Sequence, residues 1–211
     1  MKNYDDFGWE DYTEKYYEPE LITQLGSNTQ FDIILKDFEI KDNELIINDN
    51  LHPSSKEIIH LPYSLGVSSV FECGVGCGFH LNNIHTVCPN IEINGCDYSQ
   101  SQIDLGKKYL QLDQKDFYSR LCVTDMTKSE QVKLLPKSEF VYCNAVLMHL
   151  CYDKVKSFIP NMGIISSKYI LIMERPDHDY KLLVEKYLPE FEIIPGYKYS
   201  SSTLLLKRYE D

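Results

Sequence analysis

No stretch of this chain holds the roughly 20 consecutive apolar residues that a membrane helix needs. Its first residues, Met1-Lys2-Asn3-Tyr4-Asp5-Asp6, carry no apolar signal core, so no membrane association and a cytoplasmic location are expected. Basic residues are scarce: 21 Lys and Arg stand against 32 Asp and Glu, a net charge of −11. The deficit is steepest over residues 1–50, where 13 acids face four lysines. A phosphate backbone would be repelled by such a surface, which argues against nucleic acid as a partner. Metal-ligand spacing is missing as well. Cys73 and Cys77 are separated by a glycine-containing stretch, and no second ligand pair follows, so no metal is expected. Cys73, Cys96, Cys122 and Cys143, four of seven cysteines, lie in or beside apolar runs and read as small buried hydrophobes in a reducing compartment. Repeats and low-complexity linkers are absent too. At 211 residues, 43% hydrophobic and 25% charged, the chain fits one globular domain with a sizeable core.

What is present centres on Val70-Phe71-Glu72-Cys73-Gly74-Val75-Gly76-Cys77-Gly78. A short apolar strand ends at an acid, then Gly74, Gly76 and Gly78 recur at every second position. Glycine there lets the backbone take positive φ and bring its N–H groups against a ligand. Residues 79–88 follow with apolar side chains at helical spacing, closed by Pro89. A dinucleotide fingerprint, G-x-G-x-x-G, would need its third glycine at position 79, which is Phe79. An acid before the first glycine repels pyrophosphate and favours a cationic amine or sulfonium ligand.

Further elements follow at regular intervals. Residues 56–65 read as a helix entering this strand, with His52-Pro53-Ser54-Ser55 as the turn and helix start before it. Residues 31–47 read as a small hairpin or short helices. Residues 91–96 form a second strand ending at Asp97, 25 residues after Glu72, where an acid would accept from ribose hydroxyls. Ser99 or Ser101 caps the helix that follows, which runs to Leu110. Residues 121–123 make a third strand before Asp125, and residues 140–143 a fourth before Asn144. Residues 168–173 make a fifth before Glu174. A helix over 178–188 and closing strands at 191–195 and 203–207 complete the chain. Alternating strands and helices predict an open, doubly wound, mostly parallel α/β sheet with its ligand at the carboxyl ends of the strands. Residues 1–66 read as an N-terminal cap before a core at 67–211, within one domain. In that cap, Trp9, Tyr12 and Tyr16 fall at helical spacing; they either pack on the domain or form a lid whose phenols, Tyr12 and Tyr16, line a substrate pocket.

The E-C-G-V-G-C-G stretch resembles motif I of the class I S-adenosylmethionine-dependent methyltransferases. The G-C-D-Y-S segment ending the second strand resembles their second motif, and the strand running into Asn144-Ala145-Val146-Leu147-Met148-His149 resembles their fourth. The resemblance spans residues 68–175 and implies a seven-stranded Rossmann-like sheet with an antiparallel last strand. It implies S-adenosylmethionine as cofactor and S-adenosylhomocysteine as product. Glu72, Cys73, Gly74, Gly76, Gly78, Asp97 and Asn144 are the cofactor-binding residues it implies. Asp125 would accept from the adenine amine or serve as a turn residue, and Tyr98 and Met126 would flank the ring. The N-P-P-Y of amide-methylating enzymes is missing, since Ala145-Val146 stands in its place. In small-molecule O-methyltransferases a histidine placed like His149 often acts as base, paired with an acid placed like Glu174; helix capping is the alternative role of His149. His80 and His85 fall on the helix after the glycines with no role assigned. The expected activity is methyl transfer to an oxygen of a metabolite, sugar or natural product. RNA or protein methylation, nicotinamide-dependent oxidoreduction and non-catalytic nucleotide binding are the alternatives.

Overall fold

The computed structural model describes residues 34–109, 115–197, 200 and 202–209. Tyr12 and Tyr16, and with them the proposed lid, lie outside the described residues. The first elements are β1 (Phe38–Lys41) and β2 (Glu44–Ile47), an antiparallel hairpin. Asp42 and Asn43 turn it with φ of 51° and 65°, the left-handed pair that a two-residue hairpin loop requires. Helix α1 (Pro53–Leu65) begins at His52, whose ring accepts from the Ser54 N–H, with Pro53 supplying a preset φ. The helix start thus falls within the expected His52–Ser55 segment.

The sheet then alternates with helices: β3 (Ser69–Cys73), α2 (Phe79–Val87), β4 (Glu92–Asp97), α3 (Gln100–Tyr109), α4 (Lys115–Tyr118) and β5 (Leu121–Val123). A short α5 (Ser129–Val132) leads to β6 (Ser138–Asn144), a 3-10 turn at Leu147–His149 and α6 (Tyr152–Ile165). The chain closes with β7 (Ser166–Met173), α7 (Tyr180–Tyr187), β8 (Phe191–Ile193) and β9 (Thr203–Arg208). Strand order is β5-β4-β3-β6-β7-β9-β8. Neighbours from β5 to β7 run parallel, and β9 runs antiparallel to both β7 and β8. The expected antiparallel last strand is thus present.

Alternation along the strands divides the core between the two faces. Val70, Phe140 and Tyr142 pack with Ile58 and Ile59 of α1 and Leu81 and Ile84 of α2. Phe71, Cys73, Val141 and Cys143 pack with Val155 and Ile159 of α6 and Leu183 of α7. Cys73, Cys96 and Cys143 are buried, as their apolar surroundings suggest; Cys122 is exposed, because β5 is an edge strand. All seven cysteines are free thiols. Among the described residues no helix is long and apolar enough to cross a membrane, and no cluster of His, Cys, Asp or Glu has a metal-holding arrangement.

Candidate active site at the carboxyl ends of the strands

Parallel strands release their turns at one edge of the sheet, so β3, β4, β5, β6 and β7 bring Glu72, Asp97, Asp125, Asn144 and Glu174 to the same side. The glycine turn sits over β4: the N–H groups of Gly74 and Val75 donate to the Cys96 carbonyl at 2.8 and 2.9 Å. Gly74, Gly76 and Gly78 have φ of 80°, 53° and 83°. At Gly76 a Cβ would find only the Gln102 Oε1, 3.9 Å away, so the backbone there faces open space, whereas Cβ atoms at Gly74 and Gly78 would run into Val146 and Phe117. Helix α2 starts at Gly78 with no side chain capping it.

Asp97 holds the turn from below. Its Oδ2 accepts from the Gly76 N–H at 2.8 Å and its Oδ1 from the Ser99 N–H at 2.8 Å. Burial raises its pKa, opposed by these N–H bonds and one from Tyr98. The Tyr98 ring is 67% exposed. Asp125 turns its Oδ1 back on its own loop, accepting from the Thr127 N–H at 2.9 Å and hydroxyl at 2.6 Å. Met126, expected to flank the adenine, has its side chain in the apolar cluster that also holds Val132 and Phe158. Its carbonyl is held by the Asn161 amide at 2.8 Å, which anchors this loop to α6.

Glu72 and Cys73 point to opposite faces. The Cys73 thiol is buried and hydrogen-bonded to that of Cys96; burial, first, and this neighbour raise its pKa. Glu72 faces α2, where the His80 Nδ1 lies 3.1 Å from its Oε1; His80 Nε2 lies 3.3 Å from the Ser55 hydroxyl of α1.

Asn144 ends β6 beside Met173, and Ala145 follows with φ of 55° while its N–H donates to the Met173 carbonyl at 3.0 Å. A non-glycine residue in this region is strained, and the 3-10 turn after it is held by Glu174. The Glu174 Oε1 accepts from the Val146 and Leu147 N–H groups at 2.8 and 3.0 Å, and Oε2 from Met148 at 3.3 Å. The Cys143 thiol also bonds to it, and the Ser202 hydroxyl donates to its main-chain carbonyl. Burial raises its pKa to about 7 against the pull of those donors. The expected His149–Glu174 pairing is therefore revised. Glu174 spends its carboxylate on the backbone of the turn that carries His149, and the side-chain charges acting on His149 are Arg175 and Asp177. Burial and then Arg175 lower the His149 pKa, while Asp177 raises it; the net is a fall.

Sequence reasoning missed His80, Ser55 and Gln102 at this site. The signal for His80 was its place one turn into the helix that the glycines open. Nothing local marks Ser55, which arrives from another element.

A seven-stranded sheet in this order, with β9 reversed and a glycine turn after β3, is the fold of the class I S-adenosylmethionine-dependent methyltransferases. Magnesium protoporphyrin IX methyltransferase from Synechocystis PCC 6803, crystallised with S-adenosylmethionine, superposes with a TM-score of 0.58 at 14% identity, covering 74% of this chain and 78% of that one. The methyltransferase domain of bacterial CtHen1 superposes with a TM-score of 0.58 at 13% identity, covering 75% and 97%. An O-methyltransferase family protein from Burkholderia thailandensis gives 0.54 at 13% identity, covering 74% and 55%. At such identities the likeness is one of fold. No family model matches the sequence, and no curated protein sequence matches it.

Proposed function

We propose that this protein is an S-adenosylmethionine-dependent methyltransferase of the cytoplasm that methylates an oxygen of a small molecule. The observation that carries this reading is the bare backbone at Gly76, held from below by Asp97. Acids at successive strand ends suit a cationic donor and would repel pyrophosphate. When bound, S-adenosylmethionine supplies a methyl group already activated by a positive sulfur.

The chain's own residues divide the remaining work. Asp97 takes the ribose hydroxyls: a carboxylate has about four acceptor sites, so it retains capacity beside its backbone bonds. The glycine turn and the uncapped start of α2 receive the amino-acid end of the cofactor. Asn144 lines the edge next to Ala145, and Tyr98 and Asp125 border the adenine side. His149 accepts the acceptor's hydroxyl proton, for which its lowered pKa keeps a nitrogen unprotonated near neutral pH. Glu174 acts as a positioning residue for that turn. The net charge of −11 disfavours a nucleic-acid substrate, in keeping with a small-molecule acceptor.

Calorimetric titration with S-adenosylhomocysteine and with NAD tests the reading. The thioether should bind, and Asp97→Ala should weaken it by about 1.5–3 kcal/mol, the worth of hydrogen bonds to a charged group. Binding of NAD without S-adenosylhomocysteine would overturn the assignment. Incubating a metabolite extract with labelled S-adenosylmethionine would then identify the acceptor through its labelled product.

A further inference from the structure

We infer that His80 is a positioning residue for the cationic amino-acid end of the methyl donor, acting through Glu72; this rests on the cofactor assignment above. Glu72 is the last residue but one of β3, and His80 is the second residue of α2. The two bracket the glycine turn, and their 3.1 Å contact closes it like a clasp. Glu72 is 2% exposed, flanked in the sheet by Tyr142 on β6 and by Gly95 on β4. A carboxylate buried this deeply is tolerated only when hydrogen bonds hold it.

His80, 4% exposed, supplies such a bond, and its ring is fixed on two further sides. Tyr142 meets it edge-on, with ring centroids 6.5 Å apart, and the Ser55 hydroxyl, 2% exposed, lies 3.3 Å from Nε2. With the Ser55 hydroxyl donating to Nε2, the proton of a neutral imidazole rests on Nδ1 and points at Glu72. In that form His80 orients the carboxylate without cancelling its charge. Glu72 can then supply the counter-charge for an ammonium group held in the turn. The same chain of contacts ties the turn to α1.

Amide replacements separate the two ring nitrogens. His80→Asn keeps a donor near the Nδ1 position toward Glu72, and His80→Gln keeps one near Nε2 toward Ser55. Affinities are measured by calorimetry for S-adenosylhomocysteine, which carries the ammonium, and for adenosine, which lacks it. His80→Gln should weaken S-adenosylhomocysteine about tenfold, as expected for a lost hydrogen bond to a charged group, and leave adenosine unchanged. His80→Asn should stay within about threefold of the wild type for both ligands. Glu72→Gln should reproduce the His80→Gln loss, and the double variant should lose no more than either single one. Equal losses for both ligands, equal losses in the Asn and Gln variants, or additive losses in the double variant would overturn the inference. Should His80→Gln fail to fold, Ser55→Ala serves in its place: a loss confined to S-adenosylhomocysteine supports the chain of contacts, and a loss shared with adenosine refutes it. A wild-type protein that binds neither ligand would overturn the cofactor assignment instead.

Discussion

Replacing Glu174 by glutamine tests the competition that shapes this site. Burial opposes ionisation of the carboxyl, whereas three backbone N–H groups and the Cys143 thiol favour it. Burial wins, raising the pKa from 4.5 to about 7. Each pH decade is worth about 1.4 kcal/mol, so ionised Glu174 is about 3 kcal/mol less favourable in the fold than in the unfolded chain. Below pH 4.5 the group is protonated in both states and adds no pH dependence. Between 4.5 and about 7 the folded protein keeps a proton that the unfolded chain has released, so stability falls as pH rises, then levels off. Glu174→Gln removes this titration. It also sets an amide donor against the Met148 N–H, a pH-independent loss of about 1–3 kcal/mol. Urea unfolding of both proteins from about pH 4.5 to 8 isolates the effect, because other titrating groups contribute equally to both. The wild-type advantage should shrink by about 3 kcal/mol across that range. A difference that is flat, or that grows with pH, would mean the four donors outweigh burial and would refute the argument.

Gly106→Ala places a Cβ 2.2 Å from the main-chain oxygen of Cys77, which cannot rotate away, so α3 must lift from the glycine turn. Thermal unfolding should report a loss of about 1–3 kcal/mol, and S-adenosylhomocysteine affinity should fall with it. His149→Ala should lower turnover about 100-fold or more while calorimetry finds cofactor affinity unchanged. Since the His149 pKa lies below 6.5, wild-type activity should hold through that value and decline only at lower pH; a decline centred above it would remove His149 as the base.

The glycine turn was legible because its chemistry is local: positive φ at Gly76 and a bare backbone belong to the residues themselves. Strand positions were legible for the same reason, with boundaries displaced by one or two residues at β4, β6, β7, β8 and β9. Helix α6 was not assigned from the sequence, although Val155, Phe158, Ile159, Met162 and Ile165 repeat at helical spacing. Pro160 and Gly163 sit inside that pattern and obscure it. Gly163 is there for packing, since a Cβ would stand 2.5 Å from Leu188 at the corner after α7. Tertiary contact overrode local propensity at that point.

The acids at the strand ends show why site roles were harder to read than site positions. In sequence Glu72, Asp97, Asp125 and Glu174 look alike, each closing an apolar run. Their environments separate them by where the acceptor capacity goes. Glu174 is consumed by the turn before it, 26 to 28 residues upstream, and Asp125 bends onto Thr127. Asp97 accepts one bond from the glycine turn and one from Ser99 just before α3, which leaves acceptor capacity for a ligand while it shapes the cradle. Glu72 is clasped by a histidine across the turn it precedes. A carboxylate bound to backbone N–H groups fixes local geometry, whereas Glu72 meets a histidine side chain carried by the helix after the turn. That difference depends on the donor, which lies elsewhere in the chain, and so it became visible only once the strands were laid side by side.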